Sequence, residues 1–252
     1  MKFAVAKEHR DFFNKYFRIE FNKLFSAEQC HQLMAERLVI LSERLKVSKA
    51  NFKTTSVNSN FMAGFDLWRG NGALKKIILQ KSLAEIAADL LEVRALRIGY
   101  DQLIPSLPKI AIFEPNDAYN NWLSQTSTLH ERSSIQGLMA GLIICIKAPV
   151  AEVEQEHASD PATAEIIIKP LIEAPSFFST TLGNGVYFSP ETPLDFSDLA
   201  SRRGYTYLLI AYSKGTSVYC KKDSDVHTNA FRPLGYNFGD RLNDRFHPLI
   251  IF

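Results

Sequence analysis

Cysteine is scarce in this chain, and its placement already excludes one architecture. The three cysteines, Cys30, Cys145 and Cys220, are far apart and odd in number. They read as buried thiols of a reducing compartment rather than as a disulfide frame. A surplus of charge of one sign is also missing, because 29 basic residues stand against 27 acidic ones for a net +2. A dedicated nucleic-acid binder would carry a basic footprint. No apolar run approaches the roughly 20 residues that a membrane helix needs. At the N-terminus, MKFAVAKEHRDFF, charges interrupt the apolar residues before signal-peptide length. There is no glycine-rich phosphate loop, no nucleophile-elbow pattern and no Cys-x-x-Cys pair, and the six histidines are scattered. What this leaves is a cytoplasmic protein with no membrane or nucleic-acid partner expected. An apolar content of 46% and a charged content of 22% are globular values, so disorder is excluded as well.

Helical signals fill the first third. Phe12, Phe13, Tyr16 and Phe17 recur at helical spacing, which predicts an amphipathic helix within residues 1–20. Ser26 and Gln29 form a capping box, with Phe25 and Cys30 placed for a hydrophobic staple. The apolar stripe behind them (Leu33, Met34, Leu38, Leu41, Leu45) runs to about Val47. Residues 51–60 are rich in Ser, Thr and Asn and read as a loop or edge strand, and FMAGFDLW reads as extended. Two short helices are expected at 73–79 and 83–93, the second opened by a Ser82–Glu85 box.

From Leu96 the period changes to two: Leu96, Ile98 and Tyr100 alternate with Arg97, Gly99 and Asp101. Further strand-like runs fall at 109–113, 166–168, 185–189, 205–212 and 216–220, with a polar loop at 116–128 and an acidic excursion at 149–161. Between them lies TLHERSSIQGLMAGLIICIK, residues 128–147, whose polar lip feeds the most continuously apolar run in the chain, 138–146. Such a run suits a strand buried on both faces. Helices first and then six or more strands, with no βαβ alternation, predict an α+β fold: an antiparallel barrel or jelly roll buttressed by N-terminal helices. One domain over 1–252 is expected, helical to about 94 and β-rich from about 95.

At LLEVRALRIGYDQLIP and SRRGYTYLLIAY the chain resembles the phytanoyl-CoA dioxygenase-like branch of the Fe(II)/2-oxoglutarate oxygenases, over residues 73–212, with RALRIGYDQL and SRRGYTYLL as the best local matches. It is also similar to a small group of bacterial proteins, one of them described as a divalent-cation-dependent repressor. The first resemblance implies a double-stranded β-helix, a cupin-like jelly roll. It also implies ferrous iron held by two histidines and a carboxylate, written His-x-Asp/Glu plus a distal His, with a basic residue beyond for 2-oxoglutarate. His130 stands at the first ligand position, but Arg132 occupies the carboxylate position, where a cation repels a metal. Glu131 is displaced by one residue, which in a strand turns it to the opposite face. The distal histidine belongs near 190–194, in YFSPETPLDF, where none exists. The one true His-x-Asp, His9-Arg10-Asp11, lies in the first helix, where the side chains splay apart. Arg202 or Arg203 matches the co-substrate position, so either is a candidate carboxylate clamp.

The expectation is therefore an oxygenase-like fold with a degenerate metal site, leaning non-enzymatic. No catalytic residue, no metal ligand and no cofactor are expected; His130 is a vestigial metal candidate only. The former active-site cavity is expected to hold a small molecule or a protein. An active oxygenase, requiring Fe(II) and 2-oxoglutarate with an unusual ligand set, is the first alternative. A divalent-cation-dependent transcriptional regulator is the second, although the helix-turn-helix echo in LAEIAADLLEVRALRI lacks a glycine at its turn. Gly137 and Gly141 either open a cavity or permit close packing. Ser224 to His227 has hydrolase-like residue types but lies in a turn-rich tail.

Overall fold

The computed structural model describes residues 5–106, 117–124, 126–149, 175–196, 198–199 and 202–251. Helix α1, Lys7–Tyr16, buries His9 and Phe13, and the His9 ring nitrogen Nδ1 accepts the Ala6 N–H at 3.0 Å. It stops earlier than its aromatic pattern predicts. Phe17 takes a left-handed φ of 57°, and Arg18–Phe21 continues as strand β1. Here Ile19 and Phe21 point inward while Arg18 and Glu20 are half-exposed, so a period of two replaces the helical one.

Helix α2, Ala27–Leu45, begins at the expected box: Gln29 N–H donates to Ser26 Oγ at 3.2 Å, and Ser26 N–H donates to Gln29 Oε1 at 2.9 Å. The loop or edge strand expected at 51–60 is instead a 3-10 turn, Asn51–Thr54, followed by helix α3, Val57–Ala63. The polar residues that suggested a loop act as caps, Ser56 Oγ accepting Ser59 N–H at 3.0 Å. FMAGFDLW is extended only around Phe65, which bridges Gln102, before a 3-10 turn at Leu67–Arg69. Helices α4, Gly72–Ile78, and α5, Lys81–Leu91, follow. The box expected at Ser82 does not form, because α5 starts two residues earlier, capped at Gln80, and places Ser82 inside the first turn.

Strand β2, Leu96–Ile104, helix α6, Ala118–Ser124, and strands β3, Ile135–Lys147, and β4, Gly185–Phe188, come next. The runs at 205–212 and 216–220 are one long strand, β5, Thr206–Tyr219, and β6, Leu249–Ile251, closes the chain. The polar break between the two runs is absorbed because Ser213 is fully buried, in register with Arg97 on β2 and Leu138 on β3. Part of the expected loop at 116–128 is α6. The strands expected at 109–113 and 166–168 lie outside the described residues, as does the 149–161 excursion apart from Pro149.

Among the described residues the strands form one antiparallel sheet in the order β1-β4-β3-β5-β2-β6. The class is α+β. β1 comes from the helical third, so that third contributes an edge to the sheet. One sheet face (Leu142, Ile144, Leu208, Ile210) packs on α2, α4 and α5. The other (Ile143, Cys145, Tyr207, Leu209) packs under a cluster rich in aromatics, including Phe61, Tyr119, Phe178 and Phe196. Residues 141–146 of β3 are thus buried throughout, as the apolar run predicts. Full burial of each such side chain stabilises by about 1.5–3 kcal/mol.

The two glycines of β3 serve packing. Gly141 pairs with Phe188, and a Cβ there would come 2.2 Å from the Phe188 ring. Gly137, at φ 98°, sits at a register shift between β3 and β5. All three cysteines are free; Cys30 and Cys145 are buried and Cys220 is only half-buried.

Candidate functional site

The polar lip before β3 is fixed by its own side chains. Thr128 N–H donates to Glu131 Oε2 at 2.7 Å, and Glu131 N–H donates to Thr128 Oγ1 at 3.2 Å. This is the reciprocal pattern of a capping box, here closing a turn. These bonds hold the exposed Glu131 carboxyl below its usual range. His130 lies half-buried on the same turn, its pKa lowered by burial against the opposing effect of Glu191.

Segment 190–194 does come to this lip. Leu194 N–H donates to the Ser127 carbonyl at 3.0 Å, and His130 N–H to the Pro190 carbonyl at 3.2 Å. The fold therefore brings residues 190–194 against the turn that carries His130, with Glu191 close enough to act on its charge.

Arg132 turns the other way, into the aromatic face, and is 6% exposed. Its Nε donates to Ser127 Oγ and its Nη1 to the Trp122 carbonyl. The guanidinium lies 5.2 Å from the Trp122 ring centre and 5.0 Å from that of Phe196. Nη2 is buried with no hydrogen-bond partner. Burial pulls the Arg132 pKa down to about 10, with Tyr100 and Glu131 opposing.

The adjacent arginines before β5 face differently. Arg203 is exposed on a turn ahead of Gly204. Arg202 is directed inward: its side chain is 17% exposed, and its Nη2 lies 3.3 Å from Ser176 Oγ and 3.7 Å from Asp198. Arg202 Nε and Tyr207 Oη are both buried, and the Tyr207 hydroxyl lies against the Arg202 guanidinium, which opposes the larger upward push of burial on its pKa. Asp198 also accepts from Ser176 Oγ at 2.6 Å, and its charge reaches Arg18, whose guanidinium covers the Phe177 ring at 4.7 Å.

The remaining sequence candidates do not assemble. His9 is buried while Asp11 is exposed. In Ser224 to His227, Asp225 accepts the His227 backbone N–H at 2.8 Å and the Ser134 N–H at 2.7 Å, so it does not orient the ring. The His227 ring instead stacks on Phe65 at 4.3 Å, and burial pushes its pKa down to about 4. The helix-turn-helix echo is α5 running into β2. Among the described residues no three His, Cys, Asp or Glu side chains group as a metal site, and no helix is long and apolar enough to cross a membrane.

The sequence reading missed a buried polar cluster on the helix side. Asp101 is fully buried on β2, and its two oxygens accept Leu67 N–H at 3.0 Å and Trp68 N–H at 3.1 Å. Beside it, Asp66 pairs with Arg69 at 2.7 Å, and Arg69 Nη2 reaches His247 Nε2 at 3.1 Å. The period of two set Asp101 opposite the apolar side of β2, but every residue of β2 is buried, so the alternation carried no signal for this cluster.

No family model matches the chain, and no curated protein matches it in sequence. Solved structures do. The non-haem α-ketoglutarate-dependent carbocyclase SnoK from nogalamycin biosynthesis is 13% identical with a TM-score of 0.62, over 98% of this chain and 96% of that one. The fold is one that non-haem α-ketoglutarate-dependent enzymes use. The epimerase SnoN, in complex with Fe3+, α-ketoglutarate and nogalamycin RO, aligns at 12% identity and a TM-score of 0.57 over 96% of each chain. CytC3 with Fe(II) and α-ketoglutarate aligns at 13% identity and a TM-score of 0.51, over 99% of this chain and 89% of that one. At these identities the likeness concerns the fold of this α-ketoglutarate-dependent type and says nothing of activity.

Proposed function

We propose that this chain is a double-stranded β-helix protein of the Fe(II)/2-oxoglutarate-oxygenase type whose metal site is lost and which works as a binding module. The observation that carries this reading is Arg132. The residue two places after His130, where the resemblance calls for a carboxylate ligand, is a buried cation anchored by Ser127, the Trp122 carbonyl and two rings. Glu131 is committed to Thr128, and the facing segment offers Glu191 in place of a histidine. This donor set does not fit a two-histidine, one-carboxylate iron centre.

What the site retains is a carboxylate clamp. Arg202 is the better of the two candidates, because its side chain is directed inward beside the Tyr207 hydroxyl whereas Arg203 faces outward. A guanidinium and a phenol hydroxyl converging on one carboxylate give charge-assisted hydrogen bonds.

Two measurements test this reading. Incubation with Fe(II), 2-oxoglutarate and oxygen is expected to yield no succinate above the protein-free control; stoichiometric iron binding with succinate formation would overturn it in favour of an active oxygenase. Separately, 2-oxoglutarate or succinate is expected to raise the melting temperature of the chain, and Arg202→Ala is expected to abolish the shift. A shift lost in Arg203→Ala but kept in Arg202→Ala would reverse the assignment. A metal-dependent gel shift on DNA would favour the regulator.

A further inference from the structure

Arg132 is a buried cation whose bonding partners are all neutral: a serine hydroxyl, a main-chain carbonyl and the faces of Trp122 and Phe196. Burying an unpaired guanidinium is costly, and a cation on an aromatic face offsets only part of that cost. The nearby carboxylates are engaged elsewhere. Glu131 is tied to Thr128, and Asp225 accepts the N–H groups of Ser134 and His227. Nη2 retains an unused donor inside the aromatic cluster.

A second unused atom belongs to the same cluster. His227 Nε2 is buried without a partner, and its ring packs on Phe61 at 5.8 Å; Phe61 in turn packs on Trp122 at 5.2 Å, beneath Arg132. Tyr100 stacks on Phe65, the ring that His227 also stacks on, and its hydroxyl faces Ser133.

We propose that Arg132 anchors a site for a small organic monocarboxylate with a flat apolar body, its carboxylate accepting from Arg132 Nη2 and its body lying among the rings of Trp122, Phe61 and His227. The proposal deepens the binding role given above and rests on it. The charge balance selects a monoanion. Arg132 supplies one positive charge and His227, held neutral by burial, supplies none, so a dianion such as phosphate would keep half of its charge unmatched.

The test is a titration of the full chain with benzoate and with its neutral isostere benzamide, read by Trp122 emission with Trp122→Phe as the blank. Benzoate is expected to give a saturable change, and benzamide binding roughly tenfold to hundredfold weaker. Equal responses to the two, or no saturable response to benzoate, would overturn the proposal. So would inorganic phosphate binding as tightly as benzoate. Arg132→Met is expected to abolish the benzoate response and keep the 2-oxoglutarate thermal shift; a folded Arg132→Met chain that still binds benzoate refutes the assignment. Should that variant fail to fold, the benzoate–benzamide comparison on the unmutated chain decides alone. Arg202→Ala must leave the benzoate response in place, and its loss there would also count against a separate Arg132 site. The binding-module reading fails on iron-dependent succinate formation and this proposal on the benzoate titration, so the two failures are separable.

Discussion

Two buried titratable residues pull the stability of this protein in opposite directions with pH. Burial first, and then the Asp66 charge, push the Asp101 carboxyl up from 3.8 to about 8. Between those values the native state holds a proton that the unfolded chain releases, so this contribution to stability falls as pH rises, by at most about 1.4 kcal/mol per pH unit for one group. His247 acts the other way. Arg69 can only donate, so His247 Nε2 accepts from it, and the ring proton sits on Nδ1, facing Tyr236 Oη at 3.0 Å. Burial, followed by the Arg69 and Arg97 charges, lowers its pKa from 6.5 to about 2. Below pH 6.5 the unfolded chain takes up a proton that the native state refuses, so stability falls as pH drops. The two windows overlap between pH 3.8 and 6.5, where the opposite slopes cancel, so thermal melts between pH 4 and 9 are expected to show a plateau below about pH 6.5 and a fall from there to about pH 8. Asp101→Asn should remove the fall above pH 6.5 and leave stability rising up to that pH, and His247→Gln should extend the fall down towards pH 4; a profile unchanged in its variant removes that residue from the account.

At the scale of elements, similar four-residue patterns have different outcomes. Ser26 with Gln29 caps α2 as written. Ser82 with Glu85 fails because α5 begins two residues earlier and Glu85 sits 3.6 Å from Lys81. Thr128 with Glu131, not singled out in the sequence, closes the turn at the lip. Thr128→Val is expected to destabilise by about 1 kcal/mol in denaturant unfolding, with His130 losing its fixed place near Glu191. The β3–β4 pair depends on a different fit. Gly141→Ala places a Cβ against Phe188, so a loss of roughly 1–3 kcal/mol is expected. Adding Phe188→Leu should restore part of it, and a strictly additive double variant would show that the two residues do not share the space.

Over the whole molecule, the sheet is one body with a helical layer on one face and an aromatic layer on the other. Arg132 and His227 lie with the aromatic layer; Asp101 and Asp66 lie at the turn after α3, and His247 links them through Arg69 to the rings of Phe231 and Tyr236. Much of this was legible locally. The Ser26 cap, the α2 stripe and the continuous apolar run of β3 depend on near neighbours and a fixed period, so they could be read directly. The lip was legible as chemistry, because a cation two residues after His130 is incompatible with a metal ligand whatever surrounds it. Other features were not legible. β1 exists because β4 offers a free edge to Arg18–Phe21, a partner more than 160 residues away in sequence. The approach of 190–194 to His130 depends on the register of β4 against β3. The choice between Arg202 and Arg203 depends on which way a turn with Gly204 at φ 86° throws each side chain. The sequence by itself determined the helical and strand periods, the residue types along the lip and the balance of charge, since these are properties of residue type and near spacing. Only the tertiary structure decided which cation is buried and which is exposed, because burial is set by the segments that pack over a residue and not by the residue itself.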